Sequence, residues 1–187
     1  VNSGNVGIGN YSLQANAANQ NTGVGVSTLR ANTTGTRNTA VGSYALRANT
    51  TGFCNVAVGS YSLYANTTGT NNVAIGNDTL RSNTTGINNT AVGICALRSS
   101  TGQYNTGLGS CTLCANTAGI FNVAVGSSAL KVNTIGNQNI AVGVNALFAN
   151  TTGANNVAVG TSALIYNTTG YKNVALGTNA SRCSGVS

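Results

Sequence analysis

The sequence repeats itself every 17 residues, and that period decides what the chain can fold into. Ala-Val-Gly or a close variant ends at Gly9, Gly25, Gly42, Gly59, Gly76, Gly93, Gly109, Gly126, Gly143, Gly160 and Gly177, at intervals of 17 residues and twice of 16. A second glycine, in Thr-Gly or a variant, recurs at Gly35, Gly52, Gly69, Gly86, Gly102, Gly119, Gly136, Gly153 and Gly170. The unit reads N-[TV]-A-V-G-x-x-[AST]-L-x-A-N-T-T-G-x-x, and about ten and a half copies fill the chain without a linker. Residues 1–187 are therefore one repeat domain, with regular coils over 5–180. A helical-hairpin repeat needs about twice this length. One coil of a narrow solenoid fits it, and the expected fold is all-β: a parallel β-solenoid, or β-roll, of about ten 17-residue coils.

Within a unit, Asn55-Val56-Ala57-Val58-Gly59 alternates as a strand does, with Val56 and Val58 on one face and Asn55 and Ala57 on the other. A second short extended piece is expected around Ala45-Leu46-Arg47-Ala48. The chain then turns at Thr-Thr-Gly, where glycine would take a backbone conformation other residues resist. Stacking puts equivalent residues in columns about 4.8 Å apart. Ten leucines form one column, from Leu13 to Leu164. Aliphatics form a second, through Val41, Val58, Ile75, Val92, Leu108 and Val125, and Ala or Gly a third. Asn opens the strand in every coil from Asn5 to Asn173, and such a column can hydrogen-bond from coil to coil. Both strand faces then read as buried: one by aliphatics, the other by Ala and bonded Asn. A thin coil has one inside, so the second, small face is expected to pack on another copy of the chain; the alternative is that its small side chains are tolerated in water.

Composition excludes most chemistry. Charged residues are 5% of the chain, against about 25% in ordinary soluble domains. There is no His, and Asp78 is the single acidic residue, so no catalytic triad, carboxylate pair or Cys-His dyad can form within the chain. No enzyme activity, cofactor or metal site is expected. Gly7-Ile8-Gly9, Gly23-Val24-Gly25 and Gly107-Leu108-Gly109 are read as glycines in the Ala column, since no helix follows to make a nucleotide loop. No stretch reaches the roughly 18 apolar residues of a membrane span. No signal-peptide pattern is visible at Val1, where the sequence begins in mid-repeat. So little charge gives little protection against self-association.

Three residue sets stand out. Cys95 and Cys111 each lie two residues after a repeat glycine, which puts them in one column of adjacent coils within disulfide reach. The alternative is two free thiols in a Tyr/Ser column. Cys111-Thr-Leu-Cys114 has redox or zinc-pair spacing but lacks a second pair. Arg30, Arg47, Arg81, Arg98, Lys131 and Arg182 all follow the Leu column and carry six of the eight positive charges along one edge. That ladder suits polyanions such as acidic surface glycans. The favoured reading is a solvated column interrupted by Tyr64, Cys114, Phe148 and Ile165, because it lacks the stacking platform of specific single-strand nucleic-acid binders. Finally, Asn32, Asn49, Asn66, Asn83, Asn150 and Asn167 head N-x-T sequons at the Thr-Thr-Gly corner. They are a glycan row on an exposed corner in a eukaryotic secretory pathway, and turn-stabilising residues otherwise.

The unit NTAVGSYALRANTTG (Asn38 to Gly52) resembles the repeats of tail-fibre-domain proteins and, more distantly, the YadA-like head of trimeric autotransporter adhesins, whose repeat contains a similar N-x-[VA]-x-[IV]-G strand. The resemblance implies parallel β-rolls, side-by-side trimers, and an extracellular place on a cell surface or virion appendage. The expected function is a structural unit of an extracellular fibre or filament that self-assembles by β-solenoid stacking. The alternative is a receptor-binding or adhesin segment of such a fibre, and ice binding by the Thr columns is a remote one. No inserted loop breaks the repeat, which favours the fibre. No cap is recognisable at either end, so the sequence is expected either to be a segment of a longer chain or to stack head to tail into filaments, the latter with Cys183 near the junction as a candidate intermolecular thiol.

Overall fold

A three-residue strand is all the regular β-structure that each repeat makes. The computed structural model describes residues 4–181. It contains eleven such strands, from β1 (Val6–Ile8) to β11 (Val174–Leu176), and no helix among the described residues. They form one parallel sheet in chain order. In its middle β4 (Val56–Val58) pairs with β5 (Val73–Ile75), setting Ala57 against Ala74 and Val58 against Ile75. The fold is the β-solenoid that the period predicts. Register survives the shorter interval, because Ala91 still faces Gly107 and Val92 faces Leu108. The missing residue comes out of the corner, at Ser100-Thr101-Gly102.

The interior is one side chain wide. The leucines from Leu29 to Leu147 are fully buried, and across from them sit Ala40, Ala57, Ala74, Ala91, Ala124, Ala141 and Ala158, also at 0% exposure. Sequence reasoning set the small Ala/Asn face against another copy, and the structure corrects that assignment. The small face is the inside. The aliphatics point outward and stay partly exposed, as at Val41, Ile75, Leu108 and Val159. The cause is room. A Cβ on Gly107 would already lie 3.5 Å from Leu97 Cδ1 and 2.9 Å from Thr112 Oγ1, so alanine roughly fills the space and a branched residue has none.

The second extended piece does not form. Tyr44 and Leu46 have φ of 63° and 49°, in the left-handed region, and the pattern recurs in every coil, for example at Tyr61 and Leu63. A third left-handed residue precedes the strand, such as Cys54 at 56°. Such conformations cost about 1 kcal/mol or more each outside glycine. Inter-coil hydrogen bonds hold them: Cys54 N–H donates to Thr36 O at 3.0 Å, Tyr61 to Ser43 O at 3.0 Å and Leu63 to Thr79 O at 3.0 Å. Alternating handedness curls the chain so that Leu63 turns inward within a few residues of the strand.

The two glycines of the unit have exchanged their expected roles. The glycine ending the strand has positive φ, 130° at Gly59, and a Cβ there would strike the Gly76 carbonyl. The Thr-Thr-Gly glycine has no such φ. It is glycine for lack of space, since a Cβ on Gly69 would clash with Asn66 Oδ1 and the Gly86 carbonyl.

Two columns of asparagine complete the core. Asn72 is typical of the strand-opening column. Its backbone N–H and its Nδ2 donate to Asn55 Oδ1 at 3.0 and 3.1 Å, and Nδ2 also donates to Gly86 O at 2.8 Å. Its own Oδ1 accepts from Asn89 N and Nδ2 at 3.0 and 3.2 Å. The second column runs through the corner asparagines. Asn66 Nδ2 donates to Asn49 Oδ1 at 2.7 Å and to Gly69 O at 3.0 Å. Ser100 interrupts this column, and Asn83 Oδ1, buried beneath it, is left without a partner.

Three outcomes follow for stability. Leu46→Asp or Leu97→Asp leaves the chain unfolded by circular dichroism, because an unpaired charge enters a core one residue wide. Asn72→Ala removes four side-chain hydrogen bonds, leaving of that hub only the backbone N–H bond to Asn55, and destabilises by about 3 kcal/mol or more in denaturant unfolding. Ser100→Asn stabilises by about 1 kcal/mol, because its amide reaches Asn83 Oδ1. Asn16 shows that asparagine fits the shorter corner, since in the other 16-residue coil its Nδ2 donates to Ala18 O at 2.9 Å. An unchanged or lower midpoint for Ser100→Asn would show that the orphaned oxygen is not what limits this coil.

Candidate functional site

With the core closed and one side chain wide, whatever this chain binds must meet its outer columns. Among the described residues no group of three His, Cys, Asp or Glu is placed to hold a metal ion. Asp78 is engaged by Arg81, Oδ1 to Nη1 at 3.1 Å.

The first outer surface is the sheet itself. Each strand presents its first and third side chains to solvent, so two parallel columns of β-branched and aliphatic residues run the length of the solenoid. One passes through Val56, Val73, Thr90 and Val123, the other through Val58, Ile75, Val92 and Leu108. Neighbours within a column cover one another, which leaves most of them partly exposed. Neither column contains a charge.

The second surface is the edge that follows the Leu column. Arg30, Arg47, Arg81, Arg98 and Lys131 lie along it; Arg182 and Cys183 fall outside the described residues. The structure adds aromatic partners that spacing did not reveal. The Arg30 guanidinium carbon lies 4.9 Å from the Tyr11 ring centroid, Arg47 5.7 Å from Tyr64, and Arg81 5.1 Å from Tyr61. Lys131 Nζ lies 5.7 Å from the Phe148 centroid. Tyr64 and Phe148, which looked like interruptions of the ladder, support it instead. Tyr44 stacks on Tyr61 at 5.1 Å, and Tyr61 meets Tyr64 at 5.6 Å. These contacts hold long side chains flat against the edge, where each pair is worth roughly 0.5–1 kcal/mol. Arg47 Nη1 donates to Tyr64 Oη at 3.0 Å, and Arg30 Nε donates to Gln14 Oε1 at 2.8 Å. Beside them a shallow groove of about 390 Å³ is floored by Ala15, Ala31 and Ala48 and walled by Gln14, Arg30 and Arg47.

The cysteines Cys54, Cys95, Cys111 and Cys114 are free thiols in this structure. Cys95 and Cys111 do share a column of adjacent coils, their N–H groups donating to Asn77 O and Ile94 O. Burial, then the neighbouring Cys111 sulfur, pushes the Cys95 and Cys114 thiols up from their ordinary pKa. A raised pKa means less thiolate near neutrality, and thiolate is the nucleophile.

The corner asparagines do not form a glycan row. Asn32, Asn49, Asn66, Asn83 and Asn150 are fully buried and Asn167 nearly so, and their Nδ2 atoms, the atoms a glycan would occupy, are spent in the ladder. The corner threonines are likewise engaged. Thr33, Thr50 and Thr67 Oγ1 donate along the axis to Thr50, Thr67 and Thr84 O at 3.0, 3.1 and 3.1 Å. These hydroxyls do not make an outward array of the kind an ice surface needs.

Two measurements check this surface chemistry. Folded protein from a glycosylating secretory host carries no glycan at the six sequons, read by intact mass. Iodoacetamide labels Cys95 and Cys114 more slowly than N-acetylcysteine near pH 8, and the gap closes as pH rises past their elevated pKa. Rates equal to the free thiol near pH 8 would contradict the burial assigned to them. No family model, characterised protein or solved structure matches this chain.

Proposed function

We propose that this chain is a non-enzymatic structural rod of an extracellular fibre or surface appendage, in which copies lie side by side on their aliphatic faces. The observation that carries it is the uncharged outer face of the eleven-stranded sheet, with one column aliphatic throughout and the other of valine, isoleucine and threonine, left partly exposed by a single chain. Apolar surface that long and continuous marks an association site. A second copy suits it because every coil presents the same pair of columns at the same rise, so two or three such faces match one another along their full length. Ordinary surfaces resist this by charge, and here the chain has one acidic residue and eight basic ones, most of them on a different edge.

The resemblance to tail-fibre repeats and trimeric adhesin heads supports the same arrangement and an extracellular or virion-surface location. That location in turn supports pairing of the adjacent Cys95 and Cys111 thiols, since disulfides persist in oxidising compartments. Coils continuing head to tail across subunits would extend such a rod.

The test uses Val41→Lys, Ile75→Lys and Leu108→Lys together. Their side chains are 37%, 40% and 37% exposed, so the triple variant keeps the wild-type circular dichroism spectrum. Light scattering reports an oligomer or filament for the wild type and a smaller species for the variant. Negative-stain images of native material show rods. A wild-type chain that stays a monodisperse monomer at high concentration would overturn the assignment.

A further inference from the structure

We infer that the basic edge is a binding site for a linear acidic polysaccharide lying parallel to the solenoid axis. The inference does not depend on assembly, so its failure would leave the fibre assignment standing.

Charge is the first observation. Five cations occupy one column among the described residues, while Arg37 and Lys172 are the two described cations elsewhere. The chain's one carboxylate neutralises Arg81 alone. Arg30, Arg47, Arg98 and Lys131 therefore have no opposite charge within the chain, and their fields add along the edge.

Preorganisation is the second. Cations on a merely solvated face are mobile. Here Arg30 and Arg47 are held by rings and by Gln14 and Tyr64, and Lys131 lies over Phe148. Arg47 Nε is shielded from solvent and has no hydrogen-bond partner, so its charge is incompletely satisfied by the chain. Fixing these side chains in advance lowers the entropy that binding would otherwise cost.

Spacing and shape are the third. Successive cations stand at multiples of the coil rise, about 4.8 Å. A flexible chain of uronic acids carries a carboxylate on each sugar or each disaccharide, so it can turn successive charges toward the column. The alanine-floored groove beside Arg30 and Arg47 gives the apolar face of a sugar ring a place to lie. Duplex nucleic acid fits less well. Its phosphates lie about 3.4 Å apart along each strand and wind around the axis, so they leave a straight ladder within a few steps. Single strands need open rings to stack on, whereas Tyr44 and Tyr61 cover each other.

The experiment titrates the full chain with oligogalacturonates of increasing length by calorimetry, with heparin and an oligo-dT strand as further probes. Two variants are compared. One carries Arg30→Gln and Arg47→Gln on the edge; the other carries Arg37→Gln and Lys172→Gln off it, so that each loses two charges. Circular dichroism confirms that both fold. The expected results are affinity that rises with oligogalacturonate length and falls with salt, a loss of about tenfold or more in the edge variant, and a change within about twofold in the off-edge variant. Equal loss in both variants would mean attraction to net charge and would overturn the site. So would no binding of either polysaccharide, or tighter binding of oligo-dT than of oligogalacturonate.

Discussion

Everything in this molecule hangs on hydrogen bonding from each coil to the next. Only three residues per coil are strand, yet the backbone ladder continues through the turns, as in Ala48 N–H to Tyr64 O at 3.1 Å and Thr67 N–H to Thr84 O at 2.9 Å. The two asparagine columns run the same ladder through the interior, where a polar amide is tolerable only if every donor and acceptor is met. That requirement forces equivalent residues into vertical alignment. Alignment then forces the glycines, because the coils approach too closely for a Cβ at Gly59 or Gly69. It also stacks leucine on leucine into a continuous core. The tolerance for left-handed leucines follows from the same bonds, since a residue whose N–H and side chain are both engaged can hold a conformation that it would avoid alone.

Small residues inside and branched ones outside reverse the usual order of a strand. The reversal makes the coil thin, and it gives the outer sheet its apolar character. Stability and the apolar outer face thus come from one choice, alanine opposite leucine. The surfaces that result divide by edge: an uncharged sheet face on one side and a cationic rim on another.

Much of this was legible from the period. Repetition told which residues share a column, and the Leu column, the strand-opening Asn column and the Arg ladder follow from spacing alone. What repetition could not tell was direction. Alternation in Val56-Ala57-Val58 separates two faces without saying which is inside, and the decision rests on the volume left beside Leu63, which is a three-dimensional quantity. Leu46 at positive φ has no sequence signal, because leucine is not a turn residue. Asn66 was read as a sequon or a turn residue because N-x-T fits both, and its place in a buried ladder shows only when neighbouring coils are in position. The support of Arg47 by Tyr64 joins residues of different coils and was hidden in the same way. The single Ser100 among the corner asparagines was visible as an irregularity, but the orphaned Asn83 oxygen beneath it was not.

The asparagine ladders have a direction. In both columns Nδ2 of one coil donates to Oδ1 of the coil before it, as from Asn55 to Asn38 and from Asn66 to Asn49, and no step shown runs the other way. Amide dipoles therefore add along the axis within these two files, while the corner threonine hydroxyls donate the opposite way, to the coil that follows. A cut across the files exposes amide hydrogens on one side and oxygens on the other. Two segments meeting head to head would set donor against donor, while head to tail each file passes through the joint as if uncut. An array of this kind carries its own sense of up and down in its interior, independent of any feature on its surface.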